Sequence, residues 1–239
     1  MTFTASFPRL SPVRVDAEVL LYLLLVVVLM PVGAMRSKGI IAGSRPDRPA
    51  PPRTNILSRA VLVQAALFLL SLFVARTHGM DLWPRARVRS VDLGIGLGAF
   101  ALLLGFGMLS WRLRTPDERR QMWLRHLLPR NRTQWMLWLV VSATAGISEE
   151  TTYRGVLVIL LGSLTASFVA AALLSASVFA IAHYPQGPKS VALVFAIALV
   201  MQAVVSTTGA LYVAMGVHAA YDITAGVRAA RRFAELEPT

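Results

Sequence analysis

Two adjacent glutamates and an arginine, Glu149, Glu150 and Arg154, interrupt a long apolar part of this chain. Residues 135–148 before them and 155–182 after them carry no charge. An ionisable side chain at membrane depth costs roughly 2.5–3.5 kcal/mol on insertion scales, so it needs a structural or functional reason. Glu150 and Arg154 are four residues apart on one helical face, so we predict a structural ion pair that leaves Glu149 available. The alternative is one structural ion cluster of all three.

Two later apolar segments carry further ionisable residues. His183 ends the segment FAIAH, and His218 and Asp222 lie four residues apart in HAAYD. At that spacing Asp222 can orient the His218 imidazole and fix its tautomer. The structural alternatives are that His218 is a satisfied interface group and that His183 caps its helix.

Taken together, these residues have the chemistry of hydrolysis. Glu149 can act as general base toward a water molecule. His183 and His218 can bind a metal ion such as zinc together with Glu149, or donate hydrogen bonds to a developing oxyanion. The sequence has no HExxH helix, and we expect no tightly held structural metal. Both routes predict cleavage of an amide bond inside the membrane.

The order of the three motifs resembles the CAAX prenyl protease 2 and bacteriocin-processing (CPBP) family of intramembrane proteases. The glutamate–arginine motif is followed by F-x-x-x-H, which ends at His183, and by H-x-x-x-D, which begins at His218. The resemblance covers about residues 135–226. It implies that Glu149 and His183 activate the water, and that His218 and its partner four residues later stabilise the oxyanion.

One position departs from the family pattern in a way that matters for the chemistry. The prenyl-protease branch has asparagine where this chain has Asp222. An anionic aspartate cannot donate a hydrogen bond to an oxyanion. Asp222 therefore orients His218, helps to hold a metal, or is protonated, and the inference to prenylated substrates is weakened.

Membrane helices must position these residues. The chain of 239 residues is 56% hydrophobic and 15% charged, whereas about one quarter of a soluble domain is charged. We predict an all-α polytopic transmembrane bundle of about seven membrane helices, with a short interfacial helix at 115–128. The membrane helices are expected at 19–35, 60–75, 93–111, 134–161, 164–183, 190–206 and 210–228. The predicted parts are N-terminal helices at 1–133, a catalytic core at 134–230 and a polar tail at 231–239.

The net charge of +12 reflects basic loops between apolar runs, which is typical of the cytoplasmic side of a membrane protein. The side predicted to be cytoplasmic carries Arg36, Lys38, Arg45, Arg48, Arg53, the loop from Arg112 to Arg132, Lys189 and the C-terminal arginines. The other side carries Arg9, Arg14, Arg76, Arg85, Arg87 and Arg89. The N-terminus would then lie outside and the C-terminus inside a bacterial inner membrane. Arg36 and Lys38 directly after the first run favour a retained anchor over a cleaved signal peptide.

Several function classes are excluded or disfavoured by the sequence. The chain has no cysteine, which excludes a thiolate nucleophile, a thiolate metal site and disulfides. No nucleic-acid-binding motif accompanies the positive charge, and no inverted repeat supports a transporter. The sequence predicts an endopeptidase for a membrane-embedded protein or peptide substrate within the lipid bilayer. The alternative is a non-catalytic membrane scaffold of the same fold.

Water must reach the candidate site, and this requires a particular position for the end of the fifth helix. His183 precedes the sequence YPQGPK, which we expect on the cytoplasmic side, whereas Glu149 and His218 should lie near mid-membrane. The three residues can meet if the fifth helix ends below the surface and the YPQG turn dips inward. We therefore predict a polar cleft that opens to the cytoplasm between the fourth, fifth and seventh helices.

Overall fold

Seven long helices pack together in the computed structural model, which describes residues 13–41, 51–82 and 88–235. The helices are α1 (17–41), α2 (Arg53–Thr77), α3 (Ser90–Arg112), α4 (132–165), α5 (Phe168–Ala182), α6 (Pro188–Thr208) and α7 (Leu211–Ala234). Three short helical segments join them, at Pro116–Arg120, Trp123–His126 and Tyr184–Gln186. Every described element is helical, so the all-α prediction is confirmed.

The described helices differ in whether they are long and apolar enough to cross a membrane. Four described helices are long and apolar enough to cross a membrane: Ala17–Ile40, Arg53–Thr77, Ser90–Arg112 and Pro188–Thr208. The apolar helix α5 has only 15 residues, fewer than the roughly 20 that a span needs. Helices α4 and α7 carry charged residues in their middle. The predicted count of about seven spans is therefore not confirmed, although an integral membrane protein is supported.

The predicted interfacial helix is shorter than expected. Thr115 caps Pro116–Arg120 by accepting from the Glu118 amide at 3.2 Å, and Glu118 accepts from the Thr115 amide at 2.8 Å. This capping box and the proline at the first turn follow the sequence prediction. The helix nevertheless stops at Arg120, because Met122 has an extended backbone with ψ 123°, and a 3₁₀ turn at Trp123–His126 follows.

Close backbone contact fixes α4 against α7. A Cβ added at Gly146 of α4 would lie 2.6 Å from the carbonyl oxygen of Met215 and 3.1 Å from the amide of Ala219. About two turns after Ala219 on α7, Gly226 makes room for the indole of Trp138 in the same way. Lower numbers in α4 thus face higher numbers in α7, so the two helices are antiparallel.

Contacts of residues near the helix ends show which ends lie on the same side of the bundle. At one end, Lys38 approaches the ring of Tyr184 at 5.9 Å, and Lys189 donates to the carbonyl of Leu113 at 2.9 Å. At the other end, the amide of Val13 donates to Ser163 at 2.8 Å. The first group joins the basic segments that the sequence predicts on the cytoplasmic side, and we call it the basic end.

Helix α5 ends inside the bundle and not at its basic end. The Ser175 hydroxyl donates to the carbonyl of Tyr153 at 2.7 Å, and this bond places the middle of α5 beside the middle of α4. Eight residues later, His183 reaches the level of residues 145–149, and at 1.5 Å per residue about 20 Å of α4 extends beyond it. Pro185 in the following turn is buried. The turn thus lies deeper than the start of α4 and touches the basic end through Tyr184, the arrangement that the sequence requires for His183 to reach the other site residues.

Some predictions fall on residues outside the described part of the chain. These are Arg9, Arg45, Arg48, Arg85, Arg87 and the last four residues of the predicted polar tail, 236–239.

Candidate active site

Helix α4 changes its hydrogen-bonding pattern where the charged motif begins. Its α-helical first part ends at Glu149, and Glu150–Leu157 is π-helical. All eight π-helical residues are buried. π-Helical turns are rare and often mark functional sites, since the i→i+5 register redirects side chains and loosens backbone pairing.

Polar side chains from neighbouring helices support this segment. Thr152 shares a hydrogen bond of 2.9 Å with Ser71 of α2, which shares another of 2.9 Å with Tyr22 of α1. The hydroxyl of Ser175 in α5 satisfies the Tyr153 carbonyl. Buried polar groups need such partners, so the network connects α1, α2 and α5 to the segment that carries the motif.

Glu150 and Arg154 form an ion pair, with Nη1 of Arg154 donating to Oε1 of Glu150 at 3.1 Å. Glu150 is fully buried, and Arg154 is 5% exposed. The guanidinium also lies 4.4 Å from the ring centroid of Phe179. Glu150 has a second partner that the sequence did not predict: Nδ1 of His218 donates to the same Oε1 at 2.7 Å. The structural role predicted for the pair stays a prediction.

The other nitrogen of His218 faces two carboxylates. Nε2 lies 3.7 Å from Oε2 of Glu149 and 3.6 Å from Oδ2 of Asp222. These separations exceed a good hydrogen bond, so Nε2 has no close hydrogen bond to either carboxylate. The main chain of Asp222 is also held, because its carbonyl accepts from the indole of Trp138 at 3.3 Å.

His183 lies beside this group and not in direct contact with its carboxylates. Its Nδ1 lies 2.8 Å from the carbonyl of Phe179, which can only accept, so Nδ1 carries a proton. Its ring centroid lies 4.6 Å from that of Phe179, whose ring is in turn 6.3 Å from His218. When it is neutral, His183 therefore keeps Nε2 as a hydrogen-bond acceptor.

All four predicted site residues, Glu149, His183, His218 and Asp222, line one cavity of about 340 Å³. The cavity extends from them to the basic end, where Arg114, Leu127 and Arg232 line it. Its walls differ from the predicted cleft between α4, α5 and α7. Residues of α2, α3 and α6 also line it, because the short α5 leaves space that these helices enclose.

The side chains do not fit the metal site that the sequence left open. Among the described residues, no group of three or more His, Cys, Asp or Glu side chains could hold a metal ion. Glu149, His183 and His218, the set that the sequence left open for zinc, do not form such a group.

Sequence reasoning missed two polar residues of the cavity. Gln64 of α2 lines it and accepts from Thr144 of α4. The available signal was a single glutamine within the apolar run VLVQAALF. Arg114 also lines the cavity and is 7% exposed. It was counted only as a loop charge, and its burial could not be read from the basic sequence around it.

Comparison with known proteins found one family match. Residues 131–224 match the family model for type II CAAX prenyl endopeptidase Rce1-like proteins. This range includes Glu149, Glu150, Arg154, His183, His218 and Asp222. No curated protein and no solved structure matched the chain.

Proposed function

We propose, on the premise that this chain belongs to the CPBP family, as its match over residues 131–224 supports, that it is a membrane endopeptidase in which Glu149 and His183 activate the attacking water. The family match supports a CAAX-type intramembrane protease in general. The proposed substrate is a membrane-embedded protein or peptide, and the proposed nucleophile is a water molecule in the cavity beside Glu149.

In the proposed first step, Glu149 removes a proton from the water as its oxygen attacks the carbonyl carbon of the scissile bond. His183 assists by accepting a hydrogen bond from the water at Nε2, because its Nδ1 is bound to Phe179. The carbonyl oxygen becomes an oxyanion. The proton on Glu149 then passes to the leaving nitrogen as the oxyanion collapses and the C–N bond breaks, which releases a carboxylic acid and an amine. The acid then gives its remaining proton to the amine or to water.

His218 is proposed to stabilise the oxyanion from Nε2. Its Nδ1 proton points at Glu150, so the ring is held in one orientation with Nε2 toward the cavity side. When both nitrogens are protonated, Nε2 can donate to the oxyanion. Asp222, 3.6 Å from that nitrogen, is proposed to position the ring and to balance its charge.

The observation that carries this proposal is the approach of Glu149 and Asp222 to the same nitrogen of His218 at the wall of a cavity. A purely structural ion cluster does not require an adjoining cavity. Placing three carboxylates, two imidazoles and a guanidinium among apolar helices is expensive, and catalysis gives a reason for it.

Glu149→Ala tests the proposed function. Membranes of cells that express wild-type or variant protein are compared by quantitative proteomics, and we expect uncleaved membrane proteins to accumulate in the variant. Glu18→Ala is the matched control, since Glu18 is an exposed acid at the start of α1, far from the cavity. Identical cleavage in the wild type and Glu149→Ala would favour the scaffold alternative.

A further inference from the structure

Four arginines gather at the basic end, where α3 and α7 finish side by side. Arg112 ends α3, Arg119 lies in the short helix that follows, and Arg228 and Arg232 are one turn apart near the end of α7. Repulsion from Arg228, Arg119 and Arg112 acts on Arg232, so the four charges lie close together. Among the charges that act on Arg232, the acid is Glu235. The four cations therefore form a group with surplus positive charge, which we call the arginine cluster.

The ring of Trp111 holds two members of the arginine cluster in place. The guanidinium of Arg232 lies 4.9 Å from the ring centroid, and that of Arg119 lies 5.2 Å from it. Phe233 packs edge-on against the same ring, with the centroids 5.7 Å apart. Nε of Arg119 also donates to the carbonyl of Trp111 at 3.1 Å. Stacking on a ring orients a guanidinium and leaves N–H groups at its edge for hydrogen bonds, so the cluster is preorganised.

The arginine cluster has no anionic partner within the described part of the chain. None of its four arginines forms an ion pair there, and the guanidiniums of Arg228 and Arg232 make no hydrogen bond there. Their N–H groups are not among the fully buried unpaired atoms, so they are open to a ligand. The nearby acid Glu118 is bound to Lys189 at 2.8 Å. Like charges repel at close range, so an anion among them would stabilise the arrangement.

An exposed apolar surface of α3 leads up to the arginine cluster. Leu102 and Leu109 are exposed, and Leu109 shares its helical face with Arg112, three residues later. Helix α3 is long and apolar enough to cross a membrane. Arg112 at its end therefore lies at the level of the lipid headgroups, and the two leucines lie at the level of the acyl chains. A ligand that contacts both surfaces has an anionic head and apolar chains.

We infer that the arginine cluster binds the phosphate of an anionic phospholipid. Phosphate oxygens accept from guanidinium N–H groups, and the net charge of the headgroup balances the surplus charge of the cluster. A zwitterionic lipid carries an ammonium group that the arginines repel, so the site selects for net negative charge. Because Trp111, Arg228 and Arg232 also line the cavity, the bound headgroup lies at its basic end. The inference does not depend on the proposed hydrolysis.

Lipid binding to the purified protein in detergent tests the inference. Native mass spectrometry gives the Kd of the first bound molecule of dioleoyl phosphatidylglycerol and of dioleoyl phosphatidylcholine, and glycerol phosphate serves as a soluble competitor. We expect phosphatidylglycerol to bind about tenfold more tightly than phosphatidylcholine, and an equal concentration of glycerol phosphate to leave it bound. Equal affinities for the two lipids overturn the inference. Displacement by glycerol phosphate would identify a site for soluble phosphates and overturn the assignment to a lipid.

Variants assign the binding to the arginine cluster. Arg232→Gln should weaken phosphatidylglycerol binding about fivefold, or about 1 kcal/mol, and leave phosphatidylcholine binding unchanged. The matched control Arg36→Gln, at an exposed residue of α1 at the basic end, should change neither. If Arg232→Gln does not fold, the exposed Arg112→Gln should show the same selective loss. An equal loss in the control would reveal a general effect of positive charge and overturn the site, as would full binding by both cluster variants.

Discussion

At the scale of single residues, the two adjacent glutamates have different surroundings. Glu150 is fully buried and is shared between Arg154 and His218, whereas the side chain of Glu149 is 19% exposed and lines the cavity. The buried glutamate therefore has the position of a structural and orienting group, and the cavity-lining one has the position of a proton acceptor. The order of the two residues in the sequence does not distinguish these positions.

Glu150→Ala should lower the stability of the folded protein. The change leaves the guanidinium of Arg154 buried without its partner, and loss of one member of a buried pair costs about 3–5 kcal/mol. We expect a lower yield of monodisperse protein and a lower midpoint of thermal unfolding in detergent. The control Glu149→Ala removes a carboxylate that makes no contact with Arg154 within ion-pair distance and should fold close to normally. A Glu150→Ala protein that unfolds at the wild-type midpoint would contradict the structural role of Glu150.

Part of this site could be predicted from sequence. Pairs within one helix, such as Glu150 with Arg154 and His218 with Asp222, follow from a spacing of four residues. The bond between His218 and Glu150 could not be predicted, because it joins two helices that are 68 residues apart in the chain. Helical periodicity gives no information on the register of one helix against another.

At the scale of helices, that register is set where α4 crosses α7. The absence of a side chain at Gly146 lets the α7 backbone approach, which brings His218 to Glu150. The π-helical segment then begins at Glu150 and changes the direction of the side chains that follow. The positions of the helices were predicted from apolar runs, but neither the π segment nor the close crossing has a pattern in hydrophobicity.

Gly146→Ala should weaken the α4–α7 crossing. The new methyl group would lie 2.6 Å from a backbone oxygen that cannot rotate away, so the helices must separate. Such overpacking costs about 1–3 kcal/mol. The matched control is Gly98→Ala in α3, where a Cβ meets nothing within 4 Å and the higher helix propensity of alanine adds up to about 1 kcal/mol. Thermal unfolding in detergent compares the two, and equal midpoints would contradict the importance of this contact.

At the scale of the whole molecule, unequal helix lengths create the cavity. Helix α5 has 15 residues and stops beside the middle of α4, while α4 continues toward the basic end. The space that α5 does not fill is lined by the neighbouring helices and contains the candidate site at its inner end. A bundle of equal helices would bury Glu149 and His218 without access to water. The short helix thus connects the fold to the proposed chemistry.

The side from which water enters depends on the orientation of the bundle, which the basic loops predict. We expect the basic end to face the cytoplasm.

The chain has no cysteine, so a single introduced cysteine can report this orientation directly. In Gln186→Cys, the thiol would sit in the turn after α5 and line the cavity. It should react with a membrane-impermeant maleimide in inverted membrane vesicles and not in intact spheroplasts. The control Thr207→Cys, exposed near the opposite end of α6, should show the reverse pattern. Labelling of Gln186→Cys from the outer face would invert the topology, and the proposed hydrolysis would then draw its water and release its products on the other side of the membrane.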